Sequence, residues 1–557
     1  METVGTEPFF NLVDEPWVRI LASDGREVDL SMRETFHRAA GLAVLAGELP
    51  TQAFAILRIL LAVLHRAVDG PKSVDHWAEL RDDWDEVVQK VDAYLDRWHE
   101  HFWLQHPVRP FMQVAGLRTA KDEIFSLSRI ICDGAGTSAF LSTRLGENLE
   151  AIPWSEAARW VIHTQAYDVA GIHSGAVGDP RVKNGKGFGI GTGWAGQIGG
   201  VYAEGDTLKE TLLLNLIAAS GEDASSDSDL PVWERPPLTA LPEEWMPGSD
   251  DQLYRDPIGP VDLYTWPSRR LRLFGDEQNI TGVVNAQGDR ISPQNRFREE
   301  PMSVWRFSEP QTKKFGEPTY MPLRHDPARA FWRGLGGLLP KVVEQQQSTR
   351  RPPAVMDWLA RLQISGLLRS SLVRLHAVGM SYGSNEAVYD EMFSDTMTLP
   401  AALLDQQSEG LDEIAVDAVR CAQDAVYVLG SLAQNLAASS GASTESDGPR
   451  QRVSGLAYAA LDQRFREWVT TLNETCRRLE CRDAWHREVR EVVEAIGNEL
   501  VDTCGPAALV GRWPGGQFRD AGLSLVWFRK KLRNVIPQAY TSEGQNENEA
   551  ERLEEEK

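Results

Sequence analysis

The segment Gly171–Gly200 is the part of the chain whose residue types most strongly suggest binding chemistry. It contains eleven glycines in thirty residues and, among them, the basic residues Arg181, Lys183 and Lys186. Glycine loses more conformational freedom on folding than any other residue, so a run this dense is expected only where the backbone must approach another group closely. The interspersed cations indicate that this group is a phosphate chain.

One enzymatic interpretation of this segment is a nucleotide site. Residues Gly191–Gly196, GTGWAG, match the dinucleotide-binding fingerprint, which requires a strand before it and a helix directly after it. Here a glycine-rich loop precedes the match and Gly199 and Gly200 follow it, so no helix N-terminus is placed to bind a pyrophosphate. A phosphate-ligand enzyme that uses the glycine-rich loop and a pure scaffold whose glycines serve protein contacts both stay open as alternative functions.

Other catalytic and metal-binding signals are weak. The sequence contains no phosphate-loop motif, no metalloprotease helix motif and no cysteine pair with zinc-ribbon spacing. His99, His101 and His106 lie close together, but their aromatic and proline neighbours predict a packed structural corner rather than a metal site. We therefore expect no catalytic residue, no cofactor and no metal.

Further basic residues outside the glycine-rich segment offer possible contacts to a DNA backbone. They are Arg290, in a region of short strands, and Arg529, Lys530 and Lys531 in the last helix. The chain as a whole is acidic, with 58 Lys and Arg against 81 Asp and Glu and a formal net charge of −23. Such a balance argues against an independent non-specific DNA-binding protein. It allows a local basic path on a subunit that other proteins hold against nucleic acid.

The N-terminal elements that must position these residues have local signals. The Asp24-Gly25 dipeptide between apolar runs predicts a hairpin, and Ser31 with Glu34 forms a capping box that begins a helix. A second helix, apolar almost all round, is expected from Thr51 and should be buried. Its apolar run is interrupted by Arg58 and is too short to span a bilayer, so we expect no membrane association.

The length of 557 residues predicts two or more domains. We expect an α+β fold with a mixed α/β N-terminal globular domain at 1–395, a C-terminal four-helix bundle at 396–540 and a disordered acidic tail at 541–557. The four predicted bundle helices span about Leu411–Ala437, Val453–Leu479, Arg482–Cys504 and Ser524–Val535.

The cysteine content favours a reducing compartment. The five cysteines are odd in number and scattered along the chain, and Cys476 and Cys481 are expected on different faces of a helix. This pattern predicts free thiols without a disulfide framework. The N-terminus lacks a basic-then-apolar signal pattern, so we expect a cytoplasmic protein.

Four strings of the sequence carry a resemblance to a known family: FNLVDEPWVRI before the DG turn, GELPTQAFAILRILLAVL, WLQHPVRPFMQV and the glycine-rich segment. Together they are similar to the large subunit, the CasA family, of the type I-E CRISPR surveillance complex called Cascade, and the resemblance runs from about Phe9 to Tyr540. It implies a non-enzymatic subunit that recognises the PAM in double-stranded target DNA, helps to unwind it and stabilise the R-loop, and recruits the helicase-nuclease. Guide RNA held by other Cascade subunits would read the target by base pairing.

The resemblance also implies DNA-binding residues. A glycine loop that approaches the minor groove of the PAM corresponds to Gly171–Gly175, including His173 and Ser174, and a Cβ atom there would collide with the DNA sugars. On their charge alone, the cations Arg181, Lys183 and Lys186 are then expected to hold neighbouring phosphates. A second DNA-contacting loop begins at Phe140. The wedge that splits the first base pair corresponds to Gly383, Ser384, Asn385 and Glu386.

The sequence departs from the family pattern at three points. Glu386 stands where the family has a wedge glutamine, so Asn385 or its backbone is expected to do more of the work. A PAM-contacting lysine of some members has no counterpart, and only Gln287 and Arg290 are available in its region. The DPIG string at Asp256–Gly259 is followed by PVDLYTW instead of a cysteine cluster, so no zinc is expected.

Overall fold

The computed structural model describes residues 7–22, 24–132, 150–187, 189–218, 227–243, 255–340, 349–405, 410–443, 447–473 and 475–540. Contacts within the chain divide it into two compact units. The first consists of Met1–Phe331, Val343–Arg369 and Val373–Thr396, and the second of Trp332–Val342, Ser370–Leu372 and Met397–Lys557. The segment that begins at Trp332 thus belongs to the second unit, although the sequence placed every residue up to 395 in the first. The acidic tail at 541–557 lies outside the described residues.

Most of the described strands are short, and the longest described helices lie toward the C-terminus. The strands are β1 (Phe9–Asn11), β2 (Val18–Ala22), β3 (Glu27–Leu30), β4 (Leu42–Leu45), β5 (Trp103–Gln105), β6 (Ile152–Pro153), β7 (Gly200–Glu204), β8 (Arg269–Gly275), β9 (Asn279–Gln287), β10 (Trp305–Phe307), β11 (Tyr320–Pro322), β12 (Arg350–Arg351), β13 (Leu372–Tyr382) and β14 (Tyr389–Pro400). The α-helices are α1 (Met32–Arg38), α2 (Pro50–Val68), α3 (Val74–Asp82), α4 (Trp84–Trp98), α5 (Trp154–Tyr167), α6 (Leu208–Asn215), α7 (Pro260–Tyr264), α8 (Glu309–Phe315), α9 (Ala354–Ile364), α10 (Leu411–Ser439), α11 (Gly448–Val469), α12 (Arg478–Asp502), α13 (Pro506–Val510) and α14 (Ala521–Val535).

The strands form small separate sheets, with the orders β1-β5, β3-β2-β4, β6-β9-β8, β11-β10-β12 and β14-β13-β7. Two of the antiparallel pairings adjoin the glycine-rich segment. Arg269 at the start of β8 lies opposite Gln287 at the end of β9, and Val378 in β13 lies opposite Gly200 in β7. Small sheets with surrounding helices, together with long C-terminal helices, confirm the predicted α+β fold class.

Two local predictions in the N-terminal region are confirmed. Ser31 accepts from the backbone N–H of Glu34, and the Glu34 carboxylate accepts from the backbone of Ser31, so both halves of the capping box begin α1. Strands β2 and β3 pair as an antiparallel hairpin across the Asp24-Gly25 turn, with Gly25 at φ 82°. These signals depend only on residues a few positions apart.

Helix α2 is the core helix of the first unit. Among the described residues it alone is long and apolar enough to cross a membrane, and 83% of its apolar window is buried inside the protein. The expectation that this run is too short is therefore wrong, because the helix extends over 19 residues. Its buried Arg58 donates both Nη atoms to the Glu300 carboxylate, at 3.0 and 2.8 Å, and Trp194 Nε1 donates to the same carboxylate at 2.6 Å. These contacts are those of a helix inside a protein core.

Helix α10 is the centre of the helical second unit, where it packs against α11, α12 and α14. Aromatic side chains fill the space between them. The Trp332 ring stacks on Phe465 with centroids 4.4 Å apart, and its Nε1 donates to Asp462 Oδ1 at 2.9 Å. Phe465 in turn meets Trp485 edge to face. Four helices packed in this way form the expected bundle.

The cysteine expectation is wrong for one pair. Helix α11 ends at Val469, earlier than the sequence predicted, and beyond this end Asn473 Oδ1 accepts from the backbone N–H of Thr475. Cys476 therefore precedes α12 instead of lying inside a helix, and it forms a disulfide with Cys481. Their Cα atoms are 6.6 Å apart, within the range that a disulfide spans. Cys132, Cys421 and Cys504 take no part in a disulfide.

Candidate functional site

The first part of the glycine-rich segment folds back on itself as a short hairpin. Ser174 and Lys186 form an antiparallel bridge, and Gly175 N donates to Gly185 O at 2.9 Å. At the tip, Asn184 and Gly185 both have positive φ, 54° and 74°, in a two-residue turn of type I′. Asn-Gly is the strongest short-range signal for such a turn, and the sequence interpretation as a phosphate loop overlooked it.

Gly175 is required by this hairpin itself. A Cβ atom added there would lie 2.5 Å from the Val182 side chain and 3.0 Å from the Gly185 carbonyl oxygen. The explanation by collision with DNA sugars is therefore unnecessary at Gly175. An intramolecular close approach accounts for the glycine.

A buried polar cluster lies under the hairpin. Asp168 Oδ2 accepts from Arg269 Nε and His173 Nε2, both at 2.6 Å, and from Asn285 Nδ2 at 3.0 Å. His173 Nδ1 lies 2.7 Å from Gly171 O and 2.9 Å from Gln287 Nε2. These side chains connect the base of the loop to strands β8 and β9.

Charge pairing keeps Asp168 ionised in this buried position. Burial alone would raise its pKa, but the charges of His173 and Arg269 and the hydrogen bonds from His173 and Asn285 outweigh burial and lower the pKa below its usual range. Arg269 is itself fully buried. Its Nη2 donates to the carbonyls of Val169 and Gly191, at 2.7 and 2.9 Å. A single guanidinium thus connects the backbone just before the glycine-rich segment to a position well inside it.

This cluster changes the roles expected for two residues. His173 is only 6% exposed, so its side chain supports the loop from below instead of facing a ligand. Gln287, considered as a replacement for the family's lysine, is also buried and donates to Gly171 O at 3.2 Å. The exposed side chain of the loop is Ile172, at 69%. Ser174 is half-buried.

Arg181 also has a structural role, contrary to the phosphate contact expected for it. Its side chain is 9% exposed and forms a bidentate ion pair with Asp179, with both distances 3.0 Å. Its remaining donors contact the carbonyls of Gly288 and Gln287. Lys183 and Lys186, at the ends of the hairpin turn, are exposed.

The second expected site, Gly383–Glu386, is the turn between β13 and β14. Gly383 N donates to Val388 O at 3.0 Å, and Glu386 N donates to Gly383 O at 2.9 Å. Asn385 and Glu386 are consecutive non-glycine residues with left-handed φ, 56° and 54°. Such positions cost free energy and occur often at functional sites. Ser384 and Asn385 are the exposed tip of this turn.

The glycine loop and this turn are in direct contact, although they are far apart in sequence. Ala170 N donates to Glu386 O at 2.7 Å, and a Cβ atom on Gly171 would lie 3.4 Å from Ala387 O. Tyr382, immediately before the turn, donates from Oη to the carbonyl of Tyr167, 215 residues away, at 2.7 Å. We call this combined surface, Gly171–Gly175 with Gly383–Ala387, the loop–turn surface.

The dinucleotide-like string has a packing role beside this surface. A Cβ atom on Gly196 would lie 2.0 Å from Tyr382 Oη, and one on Gly193 would lie 2.5 Å from Ala166 O. The string continues into the short 3₁₀ helix Trp194–Gln197, whose Trp194 is buried. The glycines of this string therefore allow the neighbouring polypeptide to pack closely against it. This packing role disfavours the nucleotide-enzyme alternative.

A catalytic interpretation of a second string is also disfavoured. Residues Gly379–Gly383, GMSYG, have the spacing of a nucleophile elbow, which needs a serine at a sharp strand-to-helix turn. Here Ser381 lies within strand β13, and the strand leads into a hairpin. Within the described ranges, no group of three His, Cys, Asp or Glu side chains could hold a metal ion.

The remaining expected residues are distributed elsewhere. Phe140 lies outside the described residues. Arg290 is half-buried, and its carbonyl accepts from Arg255 N. In the second unit, Arg529, Lys530 and Lys531 are exposed on α14, and Arg529 Nη2 donates to Asn498 Oδ1 at 3.2 Å.

Glu386 has a basic partner that the sequence did not indicate. Arg324 Nη1 donates to Glu386 Oε1 at 2.6 Å, and the guanidinium lies 5.4 Å from the centroid of the Tyr382 ring. The acid that replaces the expected glutamine is therefore neutralised within the protein. No local pattern could have paired these residues, because 62 positions separate them.

Comparison with known proteins identifies the family. The family described as CRISPR-associated protein Cse1 matches residues 11–496, and the chain belongs to it. The chain is similar to the crystal structure of Thermobifida fusca Cse1, with 40% identity, a TM-score of 0.85 and coverage of 96% of this chain and 99% of the other. It is 27% identical over 442 residues to CRISPR-associated protein CasA/Cse1 of Thermus thermophilus, covering 78% of this chain and 79% of that protein. A chain of a structure titled CRISPR RNA-guided surveillance complex shares the fold at a TM-score of 0.65 and 18% identity, over 89% of this chain and 100% of that one.

Proposed function

We propose that this protein is the non-catalytic large subunit of a type I-E RNA-guided CRISPR complex that recognises the PAM in double-stranded target DNA. In this role it helps to unwind the DNA, stabilises the R-loop and recruits the helicase-nuclease. The observation that carries the proposal is the contact between the glycine loop and the turn, made by Ala170 N and Glu386 O. In a chain of the Cse1 family, it joins the two segments expected to touch the same DNA.

The turn has the properties that a wedge requires. It ends two long strands, and its exposed tip carries the small polar side chains of Ser384 and Asn385. Insertion of a protein wedge that unstacks a base step costs about a few kcal/mol. A turn already held in its left-handed conformation loses little further entropy on insertion, and its polar groups can hydrogen-bond to the base edges that opening exposes.

The glycine loop supplies the neighbouring contact. Ile172 is its exposed side chain, and apolar side chains are commonly used against minor-groove base steps. Lys183 and Lys186 are exposed at the hairpin tip and are suited to contact phosphates on either side. In this proposal Ile172, Asn385 and the backbone face the DNA, whereas His173 positions the loop.

The proposal assigns most of the nucleic-acid affinity to the partners. Guide RNA and other Cascade subunits would hold the target, and this chain would read only the flank. The net charge of −23 agrees with this division, because an acidic protein needs partners to bring it to DNA. The proposed location is the cytoplasm.

The test is a gel-shift titration of the complex reconstituted with guide RNA. The probes are guide-matched duplexes with a randomised flank, from which the best-bound and worst-bound flanks are selected. Asn385→Gly removes the side chain and still suits the left-handed φ of 56°, whereas Asn385→Ala adds backbone strain. Both variants should reduce the affinity ratio between the two flanks by about tenfold, the scale of one lost base contact.

Two further arms complete this test. Ile172→Ser replaces the exposed apolar side chain and should weaken binding of the best flank. A complex that lacks this chain should show no flank preference. Equal binding of every duplex by the wild-type complex, or a full preference without this chain, would refute the proposed function.

A further inference from the structure

Arg324 is the cation beside the loop–turn surface that no sequence pattern indicated. The side chains of Arg324 and Glu386 are 33% and 42% exposed, so their ion pair lies at the protein surface. The pair is also one residue from the exposed tip of the turn at Asn385. A ligand that contacts the tip therefore comes within reach of this pair.

The backbone that carries Arg324 is held firmly. The next residue, His325, donates from Nε2 to Gly200 O at 3.0 Å, and its ring stacks on Phe393 with centroids 4.7 Å apart. Burial lowers the pKa of His325 to about 4, so its imidazole is uncharged at neutral pH and adds no charge beside Arg324. The Arg324 side chain therefore extends from a fixed backbone position.

The ion pair is suited to an exchange of partners. A DNA phosphate that approaches the turn repels the Glu386 carboxylate and attracts the guanidinium, which matches phosphate oxygens in a bidentate arrangement. Ion pairs at this degree of exposure contribute little net stability, because solvent screens them. Replacing a carboxylate by a phosphate therefore costs the protein little.

We infer that Arg324 is a phosphate-binding residue of the loop–turn surface, and that its guanidinium exchanges the Glu386 carboxylate for a backbone phosphate of the flanking duplex when DNA binds. The inference rests on the proposed function. In the DNA-free protein, Glu386 keeps the guanidinium beside the turn. On binding, the released carboxylate turns to solvent.

The experiment measures the salt dependence of binding to the best-bound flank by the complex reconstituted with guide RNA. Arg324→Ala should lower the slope of log K against log salt by about 0.9, the value for one lost phosphate contact. Glu386→Gln should leave the slope unchanged and tighten binding by up to about fivefold, because the competing carboxylate is gone. Arg26→Ala is the matched control, since it breaks another exposed 2.6 Å ion pair, with Asp24. It should change neither quantity.

The two variants distinguish exchange from a structural brace. If Glu386→Gln weakens binding as much as Arg324→Ala and neither changes the slope, the pair only stabilises the turn and the inference is wrong. If Arg324→Ala impairs folding in a thermal melt, Arg324→Gln removes the same charge with most of the side chain retained. If the wild-type complex shows no flank preference, the proposed function is refuted. This measurement is made before any variant is compared, so the failure of the proposed function is distinguished from the failure of the inference about Arg324.

Discussion

Replacement of Asp168 by asparagine should destabilise the first unit strongly. Asp168 Oδ2 accepts from three side chains, including Arg269 and His173, while Oδ1 accepts from Val169 N at 2.9 Å. An amide cannot accept on both sides. Its NH₂ group must face either the three donors or the Val169 N–H.

The expected loss of stability depends on the buried positive charge of Arg269, which the substitution leaves without its carboxylate partner. Arg269 is fully buried, and removing the partner of a buried charge costs about 3 to 5 kcal/mol. Because its partners lower the pKa of Asp168 below the unfolded value of about 4, the carboxylate contributes its full stability above that value. The contribution is lost only as the pH falls through the lower, folded-state pKa. It is therefore complete between about pH 5 and 8.

The assay is urea unfolding of the isolated chain, wild type against Asp168→Asn, monitored by circular dichroism at several pH values. Asp24→Asn, at the exposed Arg26 pair, is the control and should leave the free energy of unfolding nearly unchanged. A loss below about 1 kcal/mol at pH 7 would refute the reasoning. The reasoning would also be refuted if the difference in the free energy of unfolding between wild type and variant disappeared as the pH falls from 8 to 5. That result would show that the partners of Asp168 do not keep its carboxylate ionised.

Two further predictions concern packing. Gly196→Ala places a Cβ atom 2.0 Å from Tyr382 Oη, so urea unfolding should show a loss of about 1 to 3 kcal/mol, and the flank preference of the complex should fall as the turn shifts. An unchanged stability would show that Tyr382 moves freely. Trp332→Ala removes the ring stacked on Phe465, and the free energy of unfolding of the helical unit should fall by about 3 to 5 kcal/mol. The control is Leu509→Ala, which truncates an exposed apolar side chain and should leave the free energy of unfolding nearly unchanged.

Local signals predicted much of the fold, because neighbouring residues determine them. The Ser31–Glu34 capping box needs only side chains three positions apart, and the apolar run of α2 identifies a buried helix. The end of α11 was misplaced because the helical sequence pattern continues past Val469, where the helix ends.

The sequence, through its family resemblance, proposed the glycine loop and the turn as parts of one site. Their contact in the structure depends on long-range packing that no local pattern records. Arg181 was interpreted as a phosphate ligand, although Asp179, two residues earlier, could have indicated an internal ion pair. Composition alone does not distinguish a glycine that makes room for a ligand from one that makes room for another part of the protein. Gly175 belongs to the second kind.

The glycine-rich segment also sets a constraint on chain length. Gly171 meets the turn, Gly196 meets the Tyr382 hydroxyl, and a Cβ atom on Gly199 would lie 2.5 Å from the carbonyl just before Arg324. Removing one residue between these contacts would bring a side chain to a position that has no space for it. An insertion at the Asn184-Gly185 tip would only lengthen the hairpin. We therefore expect a change in length to be better tolerated at the tip than between the glycines that contact the turn, Tyr382 and Leu323.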